Sequence, residues 1–157
     1  MFFQCLLIKA QTHWDGEGGD NQWSNSLNWS DNSAPSALAD IILDNSILSG
    51  SYTVILPAGS ASTTIRSILI SPSIGNTIQL VLPSSNTVVP GFTVTGTEYG
   101  MVLNDGGVFK NSSGASSGAP VDISDSIRIN NGGRYIHNTA RAHAANIQSL
   151  SRAPGTE

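Results

Sequence analysis

The chain is poor in charge, in cysteine and in helix-forming stretches, and each shortage closes a class of explanation. Only 11% of its residues are Asp, Glu, Lys or Arg, well under the roughly 25% of an ordinary soluble domain. Ser, Thr, Asn and Gly fill the polar positions instead. The seven basic residues are scattered, whereas phosphate recognition needs them clustered, so nucleic acid is excluded as a partner. A net charge of −4 is too mild to nominate another. With a single cysteine, Cys5, no internal disulfide framework can form. No run approaches the roughly 20 apolar residues of a membrane-spanning helix. Phosphate loops, dinucleotide fingerprints and a Gly-x-Ser-x-Gly elbow are missing as well.

What remains is a β pattern. β-branched residues dominate the apolar runs, and Gly, Pro, Asn or Ser interrupts almost every window. The spacing predicts strands at "YTVIL", "TIRSILI", "TIQLVL", "FTVTG", "GMVLN", "VDIS" and "IRIN". Aligning "TVIL", "TIQL", "MVLN" and "IRIN" on residues 53, 77, 101 and 127 gives steps of 24, 24 and 26, the mark of a solenoid. Two further alignments agree. "LNDGGVFKNSS" from Leu103 lies over "INNGGRYIHNT" from Ile129, and "TIRSILIS" shares with "ANIQSLSR" a pattern of apolar, polar, Ser, apolar that sets Ile65 and Ile68 against Ile147 and Leu150.

A rung of about 24–26 residues is too short for a propeller blade and lacks the helix of a leucine-rich repeat. It suits two or three short strands per coil, stacked in parallel about 4.8 Å apart. Gly106/Gly107 and Gly132/Gly133 are expected to supply corners with φ > 0, and Asn104 over Asn130 a ladder of side-chain amides. The expected organisation is a leader over residues 1–11, a Trp-rich segment with the first strand over 12–45, and β-helix coils over 46–157. The leader "MFFQCLLIKAQ" reads as a signal-peptide remnant with a cut after Ala10, or alternatively as a first strand or a disordered leader.

All three tryptophans fall in "HWDGEGGDNQWSNSLNWSDN", residues 13 to 32. Here Trp14, "DGEGGDNQ", Trp23, "SNSL", Asn28, Trp29 and Pro35 run into "ADIILDNS" and then "GSYTVILPAGSASTTIRSILI". This arrangement resembles the opening of bacterial secreted right-handed parallel β-helix proteins of the autotransporter-passenger type. The resemblance covers residues 12 to 82, and the rest follows by rung periodicity. It implies an all-β, right-handed parallel β-helix, a secreted or cell-surface location and a structural or adhesin-like role. It also implies that the Trp segment begins the solenoid.

A first coil would otherwise expose its apolar stack and unpaired strand edge, so Trp14, Trp23 and Trp29 are expected to cap it. Exposed indoles as a carbohydrate platform are the other reading of the same rings. Asp15, Glu17 and Asp20 are weak Ca²⁺ candidates, because their spacing fits neither an EF-hand loop nor a nonapeptide repeat.

No catalytic or cofactor-binding residue is nominated. Asp105, Asp122 and Asp125, with Arg128, Arg134 and Arg141, are the outward charged groups from which a polysaccharide-directed site could be built. They read more simply as surface pairs. His13, His137 and His143 form no ligand set by spacing. Host or environmental glycans and other surface proteins are the expected partners, and the pattern still running at "ANIQSLSRAPGTE" predicts self-association through an open solenoid end. The alternative is a carbohydrate-binding or carbohydrate-degrading β-helix protein whose active coils lie outside this segment.

Overall fold

The computed structural model describes residues 11–139 and the backbone of 145–152. The expected leader therefore lies outside the described residues except for Gln11, as do Cys5, Arg141 and His143. Twelve strands are described: β1 (Gln11–His13), β2 (Asp40–Asp44), β3 (Tyr52–Ile55), β4 (Thr63–Ile65), β5 (Ser67–Ser71), β6 (Ile78–Leu82), β7 (Phe92–Val94), β8 (Met101–Leu103), β9 (Gly107–Asn111), β10 (Val121–Ile129), β11 (Arg134–His137) and β12 (Ala145–Arg152). A single 3-10 turn at Ser26–Asn28 is the helical content described.

From β2 onward, strands that follow one another along the chain do not pair with one another, and β1 pairs with β2 across the Trp-rich segment. Each pairs in parallel with its equivalent one coil away, which makes the protein an all-β parallel solenoid of about four turns. One flat stacks β1, β2, β5, β8 and the second half of β10, and a second stacks β3, β6, β9 and β11. The third stacks β4, β7 and the first half of β10, and β12 lies along both halves of β10.

The alternation read from the sequence is what lets the coils stack. Every second residue points inward, so like residues meet in columns. Ile41, Ile68, Met101 and Ile127 form one column, and Leu43, Ile70, Leu103 and Ile129 another. Val54, Leu80, Phe109 and Tyr135 line the second flat, and Ile65, Val94 and Ile123 the third. All but Tyr135, which is half-buried against them, are buried in one continuous core. The outer faces are not uniformly polar: Ile42, Leu69 and Val102 form a row at the outward-alternating positions of the first flat.

Two of the expected alignments hold in detail. Leu103 pairs with Ile129 and Val108 with Arg134, and the amide ladder is present, with Asn130 Nδ2 donating to Asn104 Oδ1 at 2.6 Å and Asn104 Nδ2 to Ser71 Oγ at 2.9 Å. Ile65 and Ile147 share a column through Val94 and Ile123, as Ile68 and Leu150 do through Met101 and Ile127.

The regular 24-residue step is corrected. Thr53 stacks on Gln79, not Thr77, and "TIQL" belongs to the second flat whereas "MVLN" belongs to the first. Stacked residues are separated by 26 (Tyr52 and Ile78), 27 (Ile41 and Ile68), 29 (Thr63 and Phe92) or 33 (Ile68 and Met101) positions, and by 24 (Val121 and Ala145) or 23 (Ile127 and Leu150) where β12 lies on β10, because the corners differ in length. The glycine pairs also divide their labour. Gly106 and Gly132 have positive φ, whereas Gly133 is required by proximity, since a Cβ there would lie 2.4 Å from the Leu103 carbonyl oxygen of the coil below.

Candidate functional site

One coil breaks the pattern of its neighbours. Between the third and first flats the coil below passes straight from Ile65 to Ile68 through Arg66, and the coil above runs through β10 with a bulge between Ile123 and Ser126. The middle coil instead inserts Thr95–Gly100 between β7 and β8. The insertion is tied to its neighbours. Thr95 and Gly96 donate backbone N–H groups to the carbonyl oxygens of Ile65 and Arg66 at 3.0 and 2.7 Å, and Tyr99 N–H reaches Ser126 Oγ at 3.1 Å. Gly96 sits where a Cβ would lie 2.4 Å from the Arg66 carbonyl oxygen, so only glycine fits.

At its tip Glu98 and Tyr99 both adopt left-handed backbone, with φ of 58° and 66°. That conformation costs an L-residue about 1–2 kcal/mol. With Asp40, Arg66, Ser67, Gly96 and Thr97 they line a surface cavity of about 240 Å³. Its floor is an ordered polar triad: the Arg66 guanidinium grips the Asp40 carboxylate through Nε and Nη2, and Ser67 Oγ donates to Asp40 Oδ1 at 2.6 Å. Tyr99 is 41% exposed, with the Arg128 guanidinium carbon 5.3 Å from its ring centroid in a cation–π contact. Arg128 is fixed in turn by donating from Nε to Asn130 Oδ1 at 2.9 Å.

The residues singled out from the sequence lie elsewhere or act differently. Trp14, Trp23 and Trp29 are 2%, 3% and 0% exposed, so they do not form an open platform. Their rings meet edge-on with centroids 5.0 Å (Trp14 and Trp29) and 4.7 Å (Trp23 and Trp29) apart, and Trp29 Nε1–H donates to the Trp23 carbonyl oxygen at 2.8 Å. The cluster lies beside the terminal strands β1 and β3, where Trp23 N–H donates to the Ile55 carbonyl oxygen and Ile55 N–H to that of Asn21.

Asp15, Glu17 and Asp20 are not brought together, and no group of three or more His, Cys, Asp or Glu side chains suited to a metal occurs among the described residues. Asp20 instead organises its own loop, accepting from Gln22 N–H and from the amides of Asn25 and Asn28. The Gln22 bond, then those from Asn28 and Asn25, hold its pKa below the usual carboxylate value.

His13, Asp44 and Ser46 do meet, but not as a nucleophile and its base. Ser46 Oγ donates to Asp44 Oδ1 at 2.6 Å, while Ser46 Oγ and Asp44 both approach the same ring nitrogen, His13 Nδ1, at 3.3 and 3.6 Å. A triad needs the acid and the hydroxyl on opposite nitrogens. Asp105 is an exposed corner residue beneath Gly132, and Asp122 and Asp125 lie on β10. Arg134 and His137 are on β11, the latter's Nδ1 3.2 Å from the Tyr135 hydroxyl.

Among the described surface charges considered in the sequence, Arg128 reaches this cavity, a notch beneath the insertion, through its contact with the Tyr99 ring. Asp40, Arg66, Glu98 and Tyr99 were missed, although "GTEYG" between two strands carries a signal in its flanking glycines. No family model, curated protein or solved structure matches the chain.

Proposed function

We propose that the chain is part of a secreted or surface-exposed β-helix protein with a structural, adhesin-like role rather than a catalytic one. The observation that carries this reading is the stack itself. Apolar columns run from coil to coil while outward positions such as Thr53, Gln79, Ser67 and Asn104 are short or neutral polar groups, giving a stack of coils in a chain with few charges. Such a stack suits display better than turnover, since each coil is held by its neighbours and carries loops on its corners. The resemblance of its opening segment to bacterial secreted β-helices supports the same location. Its partners would be glycans or other surface proteins. No helix among the described residues is long and apolar enough to cross a membrane.

Fractionation of producing cells, with protease added to intact cells, tests the reading. Recovery outside the cytoplasm and cleavage on intact cells are expected; protection within the cytoplasm would refute it. A second reading, carbohydrate binding, is favoured by one specific feature, the notch beneath Thr95–Gly100.

A further inference from the structure

We infer that the notch between Asp40, Arg66 and the Thr95–Gly100 loop is a binding site for a single uncharged sugar ring. The inference places a ligand site within this segment and does not depend on where the protein is located.

Three independent features converge on it. The first is placement, since an insertion confined to one coil of a repeat structure projects from one face, where such proteins bind their ligands. Here the insertion roofs a pre-formed polar floor. The second is strain. Glu98 and Tyr99 hold left-handed backbone at consecutive positions where glycine would sit without cost, and strain of this kind, held in place by the surrounding structure, clusters at ligand clamps and active sites.

The third is chemistry. The Asp40 carboxylate and Arg66 guanidinium neutralise each other and Glu98 adds a single negative charge to the lining, so the site does not favour an acidic ligand. It offers Ser67 and Thr97 hydroxyls, a carboxylate and a guanidinium beside an aromatic ring with a polar tip. A pyranose matches that set, with hydroxyls that both donate and accept and with C–H groups that lie on an aromatic surface. The volume of about 240 Å³ falls below the roughly 300–1,000 Å³ of drug-sized sites, which limits the occupant to one ring.

A peptide fits less well. Strand addition needs an unpaired edge, whereas β5 is paired with β2 and β8, and β8 with β5 and β10. The notch also has no apolar recess for a side chain.

The test is titration of the whole isotopically labelled protein with methyl glycosides of glucose, galactose and mannose, following backbone amides by NMR. Methyl glucuronide and a mixed peptide pool serve as the competing probes. Saturable shifts at residues 96–99 with at least one neutral glycoside are expected. Tyr99→Gly should weaken that binding by about tenfold or more while leaving the melting temperature unchanged or higher, because it removes the ring and relieves the strain together. Glu98→Gln, which keeps the backbone and side-chain size, should also weaken it and guards against a folding defect in the first variant. The inference is overturned by the absence of saturable shifts with every neutral glycoside. It is equally overturned by undiminished binding in both variants, or by responses confined to methyl glucuronide or to peptides. Failure of cell-surface exposure would leave these outcomes untouched.

Discussion

Replacing Trp29 with alanine is the most direct test of whether the indole cluster seals the first coil. Trp29 is fully buried, has Trp14 and Trp23 edge-on against it, and donates Nε1–H to the Trp23 carbonyl oxygen at 2.8 Å. Truncation withdraws about 150–250 Å² of aromatic surface from burial, an upper bound of about 4–6 kcal/mol at 25 cal/mol per Å². It also leaves the Trp23 carbonyl without that partner, at about 1–3 kcal/mol. Relaxation of the neighbouring rings recovers part of both, so the expected net loss is about 3–5 kcal/mol. Trp29→Phe keeps a ring and loses the N–H, and should cost less, about 1–3 kcal/mol, largely through that unpaired carbonyl.

Urea unfolding followed by circular dichroism, with the slope m compared between variants, measures these values. Because each coil is stabilised by the next, hydrogen exchange in the alanine variant should accelerate first in β2 and β3, not uniformly. A loss under about 1 kcal/mol, or uniform acceleration, would show that the stack does not depend on its indoles.

Three further outcomes follow from other parts of the structure. Gly133→Ala, which brings a Cβ to 2.4 Å from the Leu103 carbonyl oxygen, should destabilise the protein by about 1–3 kcal/mol, and an unchanged melting temperature would contradict the fixed corner. Tyr52 donates its hydroxyl to the Asp44 carbonyl oxygen at 2.8 Å, and burial, then the Asp44 charge, raise its pKa above the ordinary phenol value. Folding thus favours the neutral phenol, a contribution complete below about pH 10 and lost as pH rises beyond it. Tyr52→Phe should flatten the alkaline limb of the stability profile, and a limb of unchanged slope would refute this. Millimolar Ca²⁺ or a chelator should leave the melting temperature unchanged, because the Asp20 carboxylate is engaged by Gln22, Asn25 and Asn28 and Asp15 Oδ1 by Glu17 N–H. Stabilisation by Ca²⁺ that is abolished in Asp20→Ala would overturn that account.

The all-β parallel stack was legible in the residues because alternation and corner chemistry are local. "LNDGG" over "INNGG" carries its own register, since the glycine pair and the asparagine each accept only one position at a corner, and the Asn104–Asn130 ladder follows. Ile65 and Ile68 against Ile147 and Leu150 could be matched across the intervening coils for the same reason, as both segments cross from one flat to the next in the same number of residues.

Elsewhere the pattern was degenerate. A strand slipped by two residues keeps every inward side chain inward, so hydrophobicity could not distinguish Thr53 over Thr77 from the observed Thr53 over Gln79, nor assign "MVLN" to the first flat. Corner lengths decide both, and those are settled by stacking against the neighbouring coil. The notch depends on tertiary structure more completely. Asp40, Arg66, Tyr99 and Arg128 sit 26 to 33 residues from one another in turn, as Asp40 and Arg66 do at 26. Separation by about one coil has no meaning in a linear pattern until the length of each coil is fixed, and only the stacked backbone fixes it.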